Sequence, residues 1–295
     1  MDNISSDYGP RLQVSARSFF SLQGKRLSQF FCLLLQMMKK YMLDLKVVAA
    51  QPLGNRYVLL RLTADEQLPD MLPGQFAELK VEGSPATFLR RPISINFLDR
   101  EHNEVWFLVA VVGEGTSRLA KLRTGDLLNC VIPLGNGFST PEDADEKVLL
   151  IGGGVGIAPL LFLGEKLREK GCSPTFLLGA RTASDLVMLE HFERLGRVFV
   201  TTEDGTAGEK GFVTQHPVLE EERFDSICTC GPKPMMVAVA RYAKSHDIHC
   251  EVSLENMMAC GLGACLCCVE ETKEGNICVC KQGPVLNINQ LLWPI

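Results

Sequence analysis

Six of the twelve cysteines in this 295-residue chain crowd into residues 260–280. Cys260, Cys265 and Cys268 are spaced as Cys-x4-Cys-x2-Cys, and Cys280 follows after eleven further residues. That is the plant-type ligand spacing for a 2Fe–2S cluster, with three thiolates from one tight loop and a fourth from a segment beyond it. The loop must turn backbone N–H groups toward the sulfurs, and Gly261 and Gly263 allow the positive φ angles and close approach this needs. Ala259 and Ala264 add little bulk. Cys267 and Cys278 are left over. Cys267 is expected to point away from the cluster. Residues 277–281 read as a strand, on which Cys278 and Cys280 face the same side, so alternation does not choose between them. Two other chemistries compete for these thiols. A structural zinc site prefers two well-separated short-spaced pairs, which Cys265-x2-Cys268 with Cys278-x-Cys280 imitates poorly. Disulfide frameworks belong to small secreted scaffolds, and this chain is not small.

Phosphate-binding chemistry is the second signal. Gly152-Gly153-Gly154-Val155-Gly156-Ile157-Ala158-Pro159 follows the apolar strand 147–151 and leads into a helical run to Lys170. A strand, a glycine turn and a helix N-terminus make a dinucleotide phosphate site. Pro159 suits a first helical turn, where its missing N–H costs nothing. Cys230-Gly231-Pro232 ends another strand and opens another helix, at the carboxyl edge of a sheet, where ligands bind. Upstream, Arg91 and Ser94 lie three residues apart on one strand, a forked charged donor and a neutral one that suit a pyrophosphate. Gly113-Glu114-Gly115-Thr116-Ser117 leads into a short helix, 116–122, and could cradle a phosphate. Taken alone, the pair Arg90-Arg91 also reads as a solvated edge and the glycine loop as an ordinary N-cap.

The elements that must position these groups fall into two grammars. From Leu43 to about Pro141 short strands (43–48, 57–62, 76–81 and 105–112) are separated by Pro, Gly and Asp turns, which predicts a small antiparallel β-barrel. From Lys147 strands alternate with helices: strands 175–178, 197–201, 226–230 and 249–253, helices 185–195 and 234–245. That alternation predicts a doubly wound α/β sheet. The chain is therefore read as multidomain: a leader (1–40), a barrel (41–143), an α/β sheet (144–250) and a small C-terminal cluster domain (251–295). The leader is apolar and basic, with neither a cleavage site nor a motif. It is expected to be dispensable or disordered, with translation starting at Met37, Met38 or Met42. Net charge is −5 with both signs mixed, so nothing points to nucleic acid. No apolar run reaches the roughly 18–20 residues of a membrane span. The other six cysteines are scattered, which suits a reducing cytoplasm. None of the five histidines has a site-like setting, and no catalytic acid or base is assigned.

The order of Arg91-Pro92-Ile93-Ser94, Gly115-Thr116, Gly152–Pro159 and Cys230-Gly231-Pro232 resembles the ferredoxin–NADP reductase superfamily. With Met258–Cys265 and Val279-Cys280-Lys281-Gln282-Gly283-Pro284-Val285-Leu286, it closely resembles the electron-transfer subunits of NAD-dependent dihydroorotate dehydrogenases, from about Tyr41 to Ile295. The resemblance implies three cofactors. FAD would be held by Arg91, Pro92, Ile93, Ser94, Leu108, Val109, Ala110, Gly115 and Thr116. NAD would be held by Gly153, Gly154, Val155, Gly156, Cys230, Gly231 and Pro232. The 2Fe–2S cluster would sit on Cys260, Cys265, Cys268 and Cys280, the last chosen because Gly283-Pro284 follows it at the family spacing. The resemblance also implies a heterotetramer with an FMN-containing catalytic subunit that oxidises dihydroorotate in pyrimidine biosynthesis. Electrons would run from FMN through cluster and FAD to NAD, because a flavin can link one-electron and hydride chemistry. Three departures stand out: Cys267 where a small residue is common, Gln282 where an aspartate is common, and the leader, which has no counterpart. Two rivals remain: the small subunit of a ferredoxin–NADP transhydrogenase or sulfhydrogenase, and a zinc-stabilised nucleotide-binding regulatory module.

Overall fold

The computed structural model describes residues 39–84 and 86–295; the leader expectation lies outside them. The first half is built from β1 (Tyr41–Leu53), β2 (Tyr57–Thr63), β3 (Phe76–Leu79), β4 (Arg91–Ser94), β5 (Phe97–Asp99), β6 (Glu104–Ala110) and β7 (Leu127–Leu134). They form one seven-stranded sheet in the order β4-β3-β7-β1-β2-β6-β5, antiparallel at every pair. The N–H of Ile95 bonds to the Gln75 carbonyl beside β3, and the N–H of Asn96 to the Trp106 carbonyl on β6. Successive amides thus draw both ends of the sheet together, and the sheet curls around Leu45, Leu60, Leu62, Ala77, Leu79, Val105, Phe107 and Ile132, all fully buried. Ala77 and Leu79 on β3 face this interior, whereas Phe76 belongs to a different core beyond the barrel.

A short helix, α1 (Glu114–Leu119), precedes β7. The second half then runs β8 (Val148–Gly153), α2 (Ala158–Glu169), β9 (Thr175–Ala180), α3 (Leu189–Glu193), β10 (Arg197–Thr202), β11 (Glu209–Lys210), α4 (Val218–Glu221), β12 (Ser226–Cys230), α5 (Lys233–Ser245) and β13 (His249–Ser253). Its sheet has the order β11-β10-β9-β8-β12-β13, closed at the β13 edge by the C-terminal strand Val285–Asn287 (β16). It is parallel up to β13. Every residue of β8 is buried, as a central parallel strand requires. Helix α5 buries Met236, Val239, Ala240 and Ala243, the i, i+3, i+4, i+7 stripe of an amphipathic helix. Neighbours β8 and β12 carry chain to opposite sides of the sheet, so a crevice opens at their carboxyl ends.

The C-terminal stretch contains the hairpin β14 (Val269–Thr272) and β15 (Gly275–Cys278), the helical turn α6 (Val279–Gln282) and β16 (Val285–Asn287). Strand β16 returns to the large sheet, antiparallel to β13. Three local expectations are corrected. The segment 277–281 is not a strand: it leaves the hairpin at Cys278 and curls, because the Gln282 side chain accepts the Cys278 N–H and the Cys268 carbonyl accepts the Val279 N–H. The helix expected over 185–195 shrinks to α3, because Leu186 is extended and Met188 adopts φ +62°. The helix expected over 116–122 begins earlier, at Glu114, and ends at Leu119. No helix among the described residues is long and apolar enough to cross a membrane.

Barrel and sheet are stitched at Asn96, which is fully buried and donates through Nδ2 to the Ala158 carbonyl at the start of α2, 2.9 Å away. Removing that donor strands a buried carbonyl, at a cost of about 1–3 kcal/mol. Asn96→Ala is therefore expected to lower the unfolding free energy by that amount, seen as a lower denaturant midpoint with an unchanged slope of the transition. An unchanged midpoint would show that the stitch contributes nothing.

Candidate functional site

The crevice at the end of β8 and β12 is a cavity of about 730 Å³. Gly153, Gly154, Val155 and Gly156 line it from the phosphate loop, and Gly231 and Pro232 from the end of β12. Two motifs nearly eighty residues apart meet because Cys230 pairs with Gly152 across the sheet. The contact is tight. A Cβ placed on Gly156 would lie 2.4 Å from the Cys230 carbonyl oxygen and 2.5 Å from Gly231 Cα. Gly156 therefore lets the loop press on β12, and its replacement would deform the site rather than merely fill it. Cys230 itself is not on the wall. Its thiol is buried, and burial pushes its pKa well up, so it is an inert thiol behind the cavity.

The barrel supplies the facing wall with Arg56, Tyr57, Ala110 and Val112. Of the three β6 residues expected at the flavin, only Ala110 lines this cavity; Leu108 and Val109 turn into cores. Alternation explains why a run of three cannot all face one ligand. The residues Arg91, Pro92, Ile93 and Ser94 form β4, half-buried throughout. The Arg91 guanidinium lies over the first turn of α1, where a Cβ on Gly115 would meet Arg91 Nε at 2.6 Å. The two halves of that motif are therefore in contact, and only a glycine leaves room for the guanidinium. The Thr116 hydroxyl is committed locally, accepting the N–H groups of Val112 and Gly113 at 3.0 and 3.1 Å. It shapes the turn and presents it, while Arg91 retains N–H groups for a ligand. These features fit a bound pyrophosphate.

The cysteine loop is wound by positive φ at Gly261, Gly263 and, at a non-glycine position, Leu266. Three backbone amides point at sulfur: Leu262 at Cys260 Sγ, 3.3 Å; Gly263 at Cys280 Sγ, 3.1 Å; and Cys280 at Cys268 Sγ, 3.3 Å. Hydrogen bonds from the amides of Leu262 and Cys265 hold the Cys260 thiol down to about 6. Burial and the neighbouring Cys268 push Cys280 up to about 12. Cys265 bears on Cys260, and Cys268 on Cys280, although among the described residues no three such side chains are gathered closely enough to hold a metal ion. Two thiolates for each of two irons is the demand of a 2Fe–2S cluster, and the N–H groups aimed at sulfur fit it. Cys268 and Cys280 are buried, Cys265 and Cys267 exposed. Cys278 Sγ instead points toward the Gly263 carbonyl, 3.8 Å away, while the Gly263 N–H points at Cys280 Sγ. Gln282, at the position where an aspartate is common in the family resembled, caps the helical turn α6 through its side chain.

Sequence reading missed Glu78. It lies on the outer face of β3, only 1% exposed, and neither carboxylate oxygen has a hydrogen-bond partner. Gly261 sits directly on it: a Cβ there would come within 2.9 Å of Glu78 Cγ. Burial pushes its pKa up to about 7 against the pull of Arg90, with Cys260 adding to the rise. A single Glu in an otherwise apolar strand was the available signal, but alternation alone placed it toward solvent. Glu255, just after β13, lines the cavity and was also missed.

A raised carboxyl pKa sets a direction. Between the ordinary 4.5 and about 7 the folded chain binds a proton that the unfolded chain has released, so Glu78 lowers stability as pH rises through that window. The penalty is complete above it and amounts to a few kcal/mol at most. Glu78→Gln is expected to be more stable than the native protein near about pH 8, the gap closing toward about pH 5 in chemical denaturation. A gap independent of pH would mean that this carboxyl does not titrate in that range.

Comparison with known proteins adds the following. Residues 255–292 match the family described as the iron–sulfur cluster binding domain of dihydroorotate dehydrogenase B, and residues 150–241 the oxidoreductase NAD-binding domain. The dihydroorotate dehydrogenase B (NAD(+)) electron transfer subunit of Caldanaerobacter subterraneus is 42% identical over 75% of this chain and 87% of its own length. That of Bacillus pumilus is 35% identical over 84% and 96%. Among solved structures, the NADH-dependent reduced ferredoxin–NADP oxidoreductase studied for flavin-based electron bifurcation superposes with a TM-score of 0.76 at 29% identity, covering 84% of this chain and 90% of that one.

Proposed function

Because the chain belongs to the family of electron-transfer subunits of dihydroorotate dehydrogenase B, we propose a residue assignment for each cofactor that this function requires. The protein is an oxidoreductase subunit that carries electrons from a catalytic partner subunit to NAD+ in pyrimidine biosynthesis. Cys260, Cys265, Cys268 and Cys280 hold the 2Fe–2S cluster. Arg91 and the Gly115-Thr116 turn hold the FAD pyrophosphate, with Ser94 and the backbone of 108–110 beside the flavin. Gly153–Gly156 and Gly231-Pro232 hold NAD in the cavity. The observation that carries this reading is that backbone N–H groups are aimed at the sulfurs of Cys260, Cys268 and Cys280.

When bound, the cluster supplies one-electron transfer, the flavin both one- and two-electron chemistry, and the nicotinamide hydride acceptance. The chain's part is placement and tuning. Gly261 and Gly263 bring amides to the sulfurs, which stabilises negative charge there. The start of α2 and the glycine turn offer N–H groups to a phosphate. The 730 Å³ cavity, shared between barrel and sheet, holds the dinucleotide against the barrel wall. We further infer that the partner contains FMN, that two copies of each subunit assemble, and that the cluster loop and its flanks form a functional unit with the end of the sheet.

Serine at Cys260, Cys265, Cys268 or Cys280 is expected to abolish the cluster's visible absorbance and electron paramagnetic resonance signal and to stop electron flow from dihydroorotate to NAD+. NADH-driven reduction of an artificial acceptor should survive. Serine at Cys267 or Cys278 should be nearly silent. A Cys278→Ser protein without a cluster beside a Cys280→Ser protein with one would overturn the ligand choice. Arg91→Ala should lose flavin on dilution, because a charge-assisted bond worth on the order of 1.5–3 kcal/mol is gone. Full retention would remove Arg91 from the pyrophosphate.

A further inference from the structure

The barrel wall of the cavity presents a charged group that the motifs do not predict. Arg56 stands at the turn between β1 and β2, and its carbonyl accepts the Val111 N–H at 2.7 Å, which anchors the turn to the end of β6. The turn also rests on the sheet side: a Cβ on Gly54 would lie 3.3 Å from the Ser184 carbonyl. From there Arg56 Nη1 reaches both carboxylate oxygens of Asp185, each at 3.5 Å, the outer limit of a hydrogen bond. Asp185 is almost wholly buried, whereas the arginine side chain is 50% exposed. Only Nη1 is engaged among the described residues, so the rest of the guanidinium is free on a wall that faces the phosphate loop.

Charge makes this placement consequential. Arg56 and Arg181 are the cationic side chains of the described wall, against the carboxylates of Asp185, Glu203 and Glu255. A dianionic pyrophosphate entering the cavity meets amide N–H groups at the start of α2 on one side. Without Arg56, Arg181 alone would stand against three carboxylates there. A fork of N–H donors suits two phosphate oxygens. The Asp185 contact is long enough to be shared.

We propose that Arg56 is a ligand of the dinucleotide pyrophosphate, contributed by the barrel, with Asp185 holding its guanidinium at the cavity wall. The dinucleotide is then clamped between barrel and sheet, and its affinity depends on how those two halves are set together. This rests on the assignment of NAD to the cavity.

The test is calorimetric titration of NAD+ into the holoprotein, its flavin and cluster verified by absorbance, with nicotinamide mononucleotide as a probe that lacks the pyrophosphate. Arg56→Ala is expected to weaken NAD+ on the order of 10- to 100-fold and the mononucleotide far less, with partial recovery in Arg56→Lys. Asp185→Asn, which keeps the guanidinium, should cost much less than Arg56→Ala. Equal losses in Arg56→Ala and Asp185→Asn would show that only the ion pair matters and would overturn the proposal. So would unchanged NAD+ affinity in Arg56→Ala. Val155→Trp, which fills the cavity, separates the two readings: if it leaves NAD+ binding intact, the dinucleotide lies elsewhere. If it abolishes binding while Arg56→Ala does not, only the role of Arg56 falls.

Discussion

One shared apolar core governs where every functional group ends up. Phe76 and Leu134 from the barrel, Cys268, Val279 and Cys280 from the cysteine stretch, and Leu149, Ile151 and Val252 from the sheet belong to a single buried cluster. At roughly 1.5–3 kcal/mol for each large side chain buried, separating any of the three parts would cost more than a domain can spare. The cysteine loop is therefore wedged between barrel and sheet rather than tethered to them. Gly283-Pro284 marks the wedge point. Asn136 at the end of β7 donates its backbone N–H to the Gly283 carbonyl, and Leu254 after β13 donates to the Pro284 carbonyl. Strand β16 then closes against β13.

That wedge has a local electrostatic consequence. Covering the outer face of β3 with the cysteine loop takes Glu78 out of water, and nothing nearby satisfies its oxygens. A buried carboxyl without partners responds to any change in charge near it. Its neighbours include the arginine pair 90–91 on one side and Cys260 on the other. Packing thus sets a responsive group between Arg91 and the cysteine loop, the places proposed for the flavin and the cluster.

The cavity follows from the same arrangement. Its phosphate loop and the end of β12 come from the sheet, and its facing wall from the barrel. The close approach of Gly156 to Cys230 and Gly231 fuses the two sheet motifs into one surface, so neither can move without the other. The Arg56–Asp185 pair spans the gap between barrel and sheet at the cavity rim. A ligand in this position senses both halves of the molecule.

The sequence by itself determined the two grammars, barrel strands followed by alternating strands and helices, because hydrophobic period and glycine or proline punctuation are local properties. It also determined the cysteine spacing and the glycine turn after β8, since both are short-range geometry. Tertiary structure decided the rest. Alternation put Cys278 and Cys280 on the same side and could not tell them apart, whereas contacts with Gln282 and Cys268 curl the segment instead of extending it. Leu108 and Val109 carry the same apolar signature as Ala110, yet only the last faces the cavity. Glu78 looked like a solvent-facing strand residue until a loop nearly two hundred positions later covered it. Arg56 and Asp185 lie 129 residues apart, with no motif to link them. Each of these depends on which distant segments share a surface, and residue type and spacing along the chain carry no record of that.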